Sequence, residues 1–138
     1  MTISLLTGRS KKIELYSDFK KNMERSPLSN DLTVFKEEDS VKEAIKNLLL
    51  TDRGERLMQP NVGGHLKAML FENITPGILK TIEDQVRTCI ELYEPRCELI
   101  DVIVSSNIDD NTVRVNVQFY VRNSEQPISV DVFLERTR

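Results

Sequence analysis

The feature that most constrains this chain is a change of hydrophobic period at Pro95. Before that residue, apolar positions recur at helical spacing; after it they recur at every second residue, the period of a strand with one face buried. Ile100, Val102 and Val104 alternate with Asp101 and Ile103. Val113, Val115, Val117, Phe119 and Val121 alternate with Arg114, Asn116 and Gln118, and Ile128, Val130, Val132 and Leu134 alternate with Ser129 and Asp131. Asp109-Asp110-Asn111 supplies residues that tolerate positive φ for a first hairpin, and residues 123–127 form a longer connection to the last run. The pattern predicts a three-stranded antiparallel β-meander.

Upstream, the same reading predicts helices. Thr75-Pro76-Gly77 opens the longest, because threonine can cap a helix N-terminus and proline at the first helical position lacks only an N–H that has no partner there. Ile78, Leu79, Ile82, Val86, Cys89, Ile90 and Tyr93 then form one broad apolar face, and Pro95 ends the element. Ser40-Val41-Lys42-Glu43 has the form of a capping box and predicts a helix beginning there, with Val41, Ile45, Leu48 and Leu49 on its apolar stripe. Gly54 suits the left-handed exit from that helix, and residues 56–60 read as a short extended piece. After Gly63-Gly64, Leu66, Met69 and Leu70 suggest a helix of about two turns closed by Asn73. Residues 1–38 are polar and irregular and read as an extended N-terminal arm; 39–138 form a single domain. One sheet face is apolar and needs covering, so the fold class is α+β: two layers, with helices packed on one face of the three-stranded meander.

Composition removes several functions. With 138 residues there is room for one core. A net charge of −3 and the lack of a basic run disfavour nucleic acid as a partner. No apolar stretch is long enough to span a membrane, and MTISLLTGRSKK lacks the charge order of a signal peptide, so assembly in the cytoplasm of a cell is expected. Cys89 and Cys97 are the only cysteines, too few to staple a small secreted fold, and a reducing compartment keeps both as thiols. His65 is the only histidine, without a second one or a carboxylate at ligand spacing, so neither a metal nor another cofactor is expected, nor a small-molecule substrate.

Several segments, in order, carry a resemblance. SVKEAIKNLLLTDRGERLMQP, then GGHLKAMLFENITP, then the long helix ending YEPR, then the alternating strands, resemble the baseplate wedge and sheath-initiator family of contractile-tailed phages, with relatives in type VI secretion baseplates. The likeness spans the chain from Tyr16 onward; Val62-Gly63-Gly64 departs from the family, whose members often carry an aromatic before that glycine. The resemblance implies a virion protein with baseplate wedge proteins and the tail sheath protein as partners. It implies docking on the wedge through Glu94, Pro95 and Arg96 and sheath initiation by strand addition at an open sheet edge, for which Ile128, Ser129, Val130, Asp131, Val132, Phe133 and Leu134 are the preferred candidate while the choice of edge stays open; the basic corner of Arg53 and Arg56 offers a further contact with a wedge subunit.

Each of these residues also has a plain reading. Pro95 stops a helix, and Glu94 and Arg96 can be solvated charges. Arg53 and Arg56 can offset the dipole at a helix exit. The last strand can be an ordinary edge protected by its charged flank. On the family reading, Arg96→Ala leaves the monomer folded but excludes it from the wedge, and a proline at Val130 interrupts the pairing edge. Two other functions stand beside it. A stand-alone adaptor could bind through its sheet edge. A lysozyme-like glycoside hydrolase would need two carboxylates across a cleft, one with a raised pKa, for which only Glu55, Glu72 and Glu94 come into question.

Overall fold

The computed structural model describes residues 15–107, 112–122, 124 and 126–135. Its elements run β1 (Ser17–Phe19), β2 (Val34–Lys36), α1 (Glu38–Leu50), α2 (Leu66–Leu70), α3 (Pro76–Tyr93), β3 (Cys97–Asn107), β4 (Thr112–Val121) and β5 (Ile128–Glu135). The turn predicted at Asp109-Asp110-Asn111 lies outside the described residues, but the strands it joins are antiparallel neighbours.

The three long strands form one sheet in the order β3-β4-β5, antiparallel throughout. Val113, Val115, Val117 and Phe119 of the central strand are fully buried, and Ile128, Val130, Val132 and Leu134 of β5 join them. α3 covers β3, while α1 and α2 lie against β5, so the helices close one face and leave the other to solvent. β3 departs from simple alternation. Leu99 pairs with Phe119 but the next paired residue is Asp101, opposite Gln118, so the ladder carries a bulge at Ile100. Ile100 is therefore turned out of the core at 40% exposure, and Leu99 and Val102 fill the inner face in its place.

α3 begins as its sequence dictates: the Thr75 hydroxyl accepts from the Ile78 N–H at 3.3 Å, with Pro76 directly inside. Thr75→Ala leaves that N–H without its acceptor and is expected to lower the unfolding free energy by about 1 kcal/mol, read from urea denaturation.

α1 corrects the sequence reading. It starts at Glu38, not behind Ser40, and Ser40 lies inside the first turn, fully buried, with no hydrogen-bond partner for its hydroxyl. The start is set by contacts from distant chain. Glu37 donates its N–H to the Tyr16 carbonyl at 2.8 Å and accepts the Leu15 N–H at 2.8 Å, while Glu38 accepts from the Ser124 hydroxyl at 2.9 Å. These bonds turn the chain into the helix three residues early, and Glu38 and Asp39 then oppose the dipole at its positive end.

Residues 56–60 are turns, not an extended piece. Gly54 N–H reaches the Pro60 carbonyl at 2.8 Å and Gln59 N–H the Arg56 carbonyl at 3.1 Å, with Gly54 at φ +89° as its position requires. Gly63, at φ +137°, lies so close to the Thr51 carbonyl that a side chain there would collide with it, which explains the glycine. α2 is shorter than expected, five residues ending at Leu70, because Phe71 and Glu72 N–H groups close on Ala68 and Met69 in tight turns. Within the arm, β1 and β2 pair antiparallel, and Arg25 and Leu32 form a further bridge. The arm is mostly exposed, as its polarity indicated, and touches the core mainly through Tyr16.

Candidate docking surfaces

Pro95 turns the chain between α3 and β3 and folds Glu94 back onto Arg96. Arg96 Nε donates to Glu94 Oε1 at 2.6 Å and Nη2 to Oε2 at 2.8 Å, a two-pronged pair that raises the Arg96 pKa further. Glu94 is only 6% exposed, and the Arg96 guanidinium also stacks over the Tyr16 ring at 5.6 Å. These are not solvated charges. Nor is the carboxylate of Glu94 offered outward, since both its oxygens are taken; the corner presents Pro95, which is exposed, and the outer edge of Arg96. Beside it, the Cys97 thiol is pushed up to about 11, first by burial and then by the Glu94 charge, which keeps it protonated and unreactive at neutral pH.

Arg53 and Arg56 lie on the loop after α1. Both are exposed and neither pairs with a carboxylate among the described residues. The loop's acids are used internally: Lys67 lies 3.2 Å from Asp52 and 3.5 Å from Glu55, and Glu55 accepts the Asp52 N–H at 3.0 Å. Arg56 and Glu94 line one open cleft of about 750 Å³, so the fold brings these two predicted residues to a common surface; Arg53 does not line it.

The last strand divides by parity, and the hydrogen bonds fix how. Val102 N–H is turned away from β4, to its own neighbour's Asp101 carboxylate at 2.9 Å. Val102 and its partner Val117 thus exchange no ladder bonds, and the polar backbone of Val117 must face β5. The Arg122 N–H bond to the Arg96 carbonyl at 3.0 Å sets the same phase from the other end of the strand pair. Val117 pairs with Val130, so Val130 and Val132 donate to β4, whereas the N–H groups of Ser129, Asp131 and Phe133 point out along the free side of β5. The side chains divide likewise. Ile128, Val130, Val132 and Leu134 are in the core and cannot meet a partner's side chains. On the outer face Asp131 takes bonds from Arg114 and Asn116 at 3.1 and 2.8 Å, which lower its pKa, and Arg114 stacks over Phe133 at 5.4 Å.

The two edges of the sheet differ. β3 carries the bulge, spends one outward N–H on Asp101, and has Asp101 held by Arg87 from α3 at 3.4 Å. These are the devices that blunt an edge. β5 is regular over its eight residues, and among the described residues it pairs only with β4.

The carboxylates nominated for glycoside hydrolysis find no such setting. Glu94 is saturated by Arg96, Glu72 is exposed, and Glu55 has its pKa lowered, chiefly by the Asp52 N–H, the opposite direction from a general acid. His65 is exposed in a left-handed conformation, and among the described residues no group of three potential metal ligands occurs. No helix of the described residues is long and apolar enough to cross a membrane. Sequence reasoning missed Leu57 and Met58, each 96% exposed; their signal was an apolar pair that belongs to neither periodic stripe.

A helical layer over a three-stranded meander is a fold shared with chains of contractile-tail baseplates. A chain of the anti-feeding prophage baseplate superposes with a TM-score of 0.60 at 21% identity, covering 89% of this chain and 87% of that one. The chain belongs to the family of baseplate wedge protein gp25, whose model matches residues 36–126. It is 30% identical over 115 residues to baseplate wedge protein gp25 of Enterobacteria phage T4, covering 83% of this chain and 86% of that protein. A Geobacter sulfurreducens protein described as a tail lysozyme superposes with a TM-score of 0.67 at 27% identity, over 73% of this chain and 92% of that one. The protein is thus a structural subunit of the baseplate of a contractile phage tail or tail-like particle.

Proposed function

We propose that this subunit has no catalytic role, docks on the baseplate wedge beside Pro95 and Arg96, and starts the tail sheath by accepting a sheath strand on the outer side of β5. The observation that carries the reading is the contrast between the edges: β3 is bulged and partly self-capped, whereas β5 leaves the outward N–H groups of Ser129, Asp131 and Phe133 without partners among the described residues. A strand added there gains main-chain hydrogen bonds along a regular ladder, and the outer-face row of Arg114, Asp131 and Phe133 gives it a register to read. The buried pair of Glu94 and Arg96 fixes the corner's shape, so that docking rests on a rigid turn with Pro95 at its apex.

The test is reconstitution. Baseplates assembled without this subunit and supplied with sheath protein are expected to form no sheath, and adding the purified chain restores polymerisation from the baseplate outward. Sheath growth at the normal rate without it would remove the initiating role. Peptidoglycan cleavage by the purified chain, lost on replacing Glu55 and Glu94, would return the protein to the hydrolases.

A further inference from the structure

We propose that the loop of residues 52–64 is a preformed docking element for an acidic amphipathic helix of another baseplate component, with Leu57 and Met58 as apolar anchors and Arg53 and Arg56 as charge contacts. Single exposed apolar residues are ordinary on protein surfaces. Here two large ones stand side by side, each 96% exposed, on a loop that is tied down around them. Gly54 N–H bonds the Pro60 carbonyl at 2.8 Å, the Tyr93 hydroxyl donates to the Asn61 carbonyl at 3.0 Å, and Gly64 N–H bonds the Thr51 carbonyl at 3.1 Å. Anchors held in place before binding lose little freedom on contact, and methionine adapts to an uneven partner surface.

Charge selects the partner. The carboxylates of Asp52 and Glu55 are engaged by Lys67, while the two arginines that precede Leu57 and Met58 have no acidic partner among the described residues. A chain of net charge −3 therefore shows a positive locus beside an exposed apolar pair. An apolar ridge bordered by carboxylates complements it. The backbone selects the shape. Bonds from the Gly54, Glu55, Gln59 and Val62 N–H groups curl the loop into turns, so it offers no extended edge to a strand, and recognition falls to side chains, the mode of a helix laid in a groove. A cleft of about 750 Å³ opens beside Met58, with Leu92 and Tyr93 of α3 also in its lining, and Leu92 is itself 67% exposed. The inference is independent of the docking role given to Arg96.

Two amphipathic peptides serve as probes, with one leucine stripe flanked by Glu in the first and by Lys in the second, titrated into the isotope-labelled full chain. The Glu peptide is expected to shift the amide signals of Leu57, Met58 and Leu92 and to bind at least about tenfold more tightly than the Lys peptide. Leu57→Ser with Met58→Ser, or Arg53→Glu with Arg56→Glu, weakens it by about tenfold or more without altering the melting temperature, because the four side chains are exposed. Equal binding of both peptides, binding of neither, or shifts confined to other surfaces overturns the proposal. In assembling particles, exclusion of the Leu57→Ser, Met58→Ser chain while Arg96→Ala is incorporated supports the loop and removes the corner. The reverse result sinks the loop and keeps the corner.

Discussion

Val130→Pro is expected to unfold the sheet, whereas Ser129→Pro, one residue earlier, leaves the protein folded and stops sheath growth at its start. The difference follows from the phase of the ladder. Val130 donates to Val117 across the β4–β5 pair, so proline there strips a buried bond and leaves the Val117 carbonyl unsatisfied. The lost partner costs about 1–3 kcal/mol, and the poorer fill of a position only 4% exposed adds roughly another 1 kcal/mol. Ser129 N–H points out of the sheet and its side chain is exposed, a place where an edge strand tolerates proline, so the cost there stays below about 1 kcal/mol. Urea midpoints measure the first effect, and sheath length on reconstituted baseplates the second. A folded Ser129→Pro chain that initiates sheath at the normal rate would move the acceptor edge away from β5. Proline at Val130, which the sequence offers as a block on the edge provided stability is checked alongside, therefore reports on the core first.

The second large effect is at the corner. Arg96→Ala leaves a carboxylate whose side chain is 7% exposed without its cation, a loss worth about 3–5 kcal/mol for a fully buried pair and about 2 kcal/mol here, where Arg96 is itself 31% exposed. The monomer is therefore weakened as well as altered. Adding Glu94→Gln removes the stranded charge and recovers part of the stability. If docking uses the corner, the more stable double variant still fails to enter the wedge; if exclusion of Arg96→Ala came only from instability, the double variant enters. Denaturant unfolding and co-purification with wedge components separate the two. An Arg96→Ala chain as stable as the original would contradict the buried pairing itself.

What could be read from the chain beforehand has a common physical character. α3 and the strands were legible because their signals are local: a threonine and proline at the start, a proline after the end, and a period that matches the buried face. The start of α1 was not, because it is set by bonds to Leu15, Tyr16 and Ser124, chain segments remote in sequence, which override the capping pattern at Ser40. A one-residue bulge leaves no mark on the alternation of β3, so Ile100 was placed on the wrong face. Residues 56–60 read as extended because the bond that curls them joins Gly54 to Pro60, a closure invisible in either residue alone. The members of the Glu-Pro-Arg corner were legible as residues, but that Glu94 and Arg96 bind each other required knowing that Pro95 folds one back on the other.

β5 assigns cohesion and exposure to alternating residues of one eight-residue segment. Even-numbered positions anchor the strand by backbone and side chain together, while odd-numbered ones turn their N–H groups to the free side and their side chains to the outer face. Mutational drift can thus alter the exposed rim one position at a time, while the residues that keep the domain folded stay as they are.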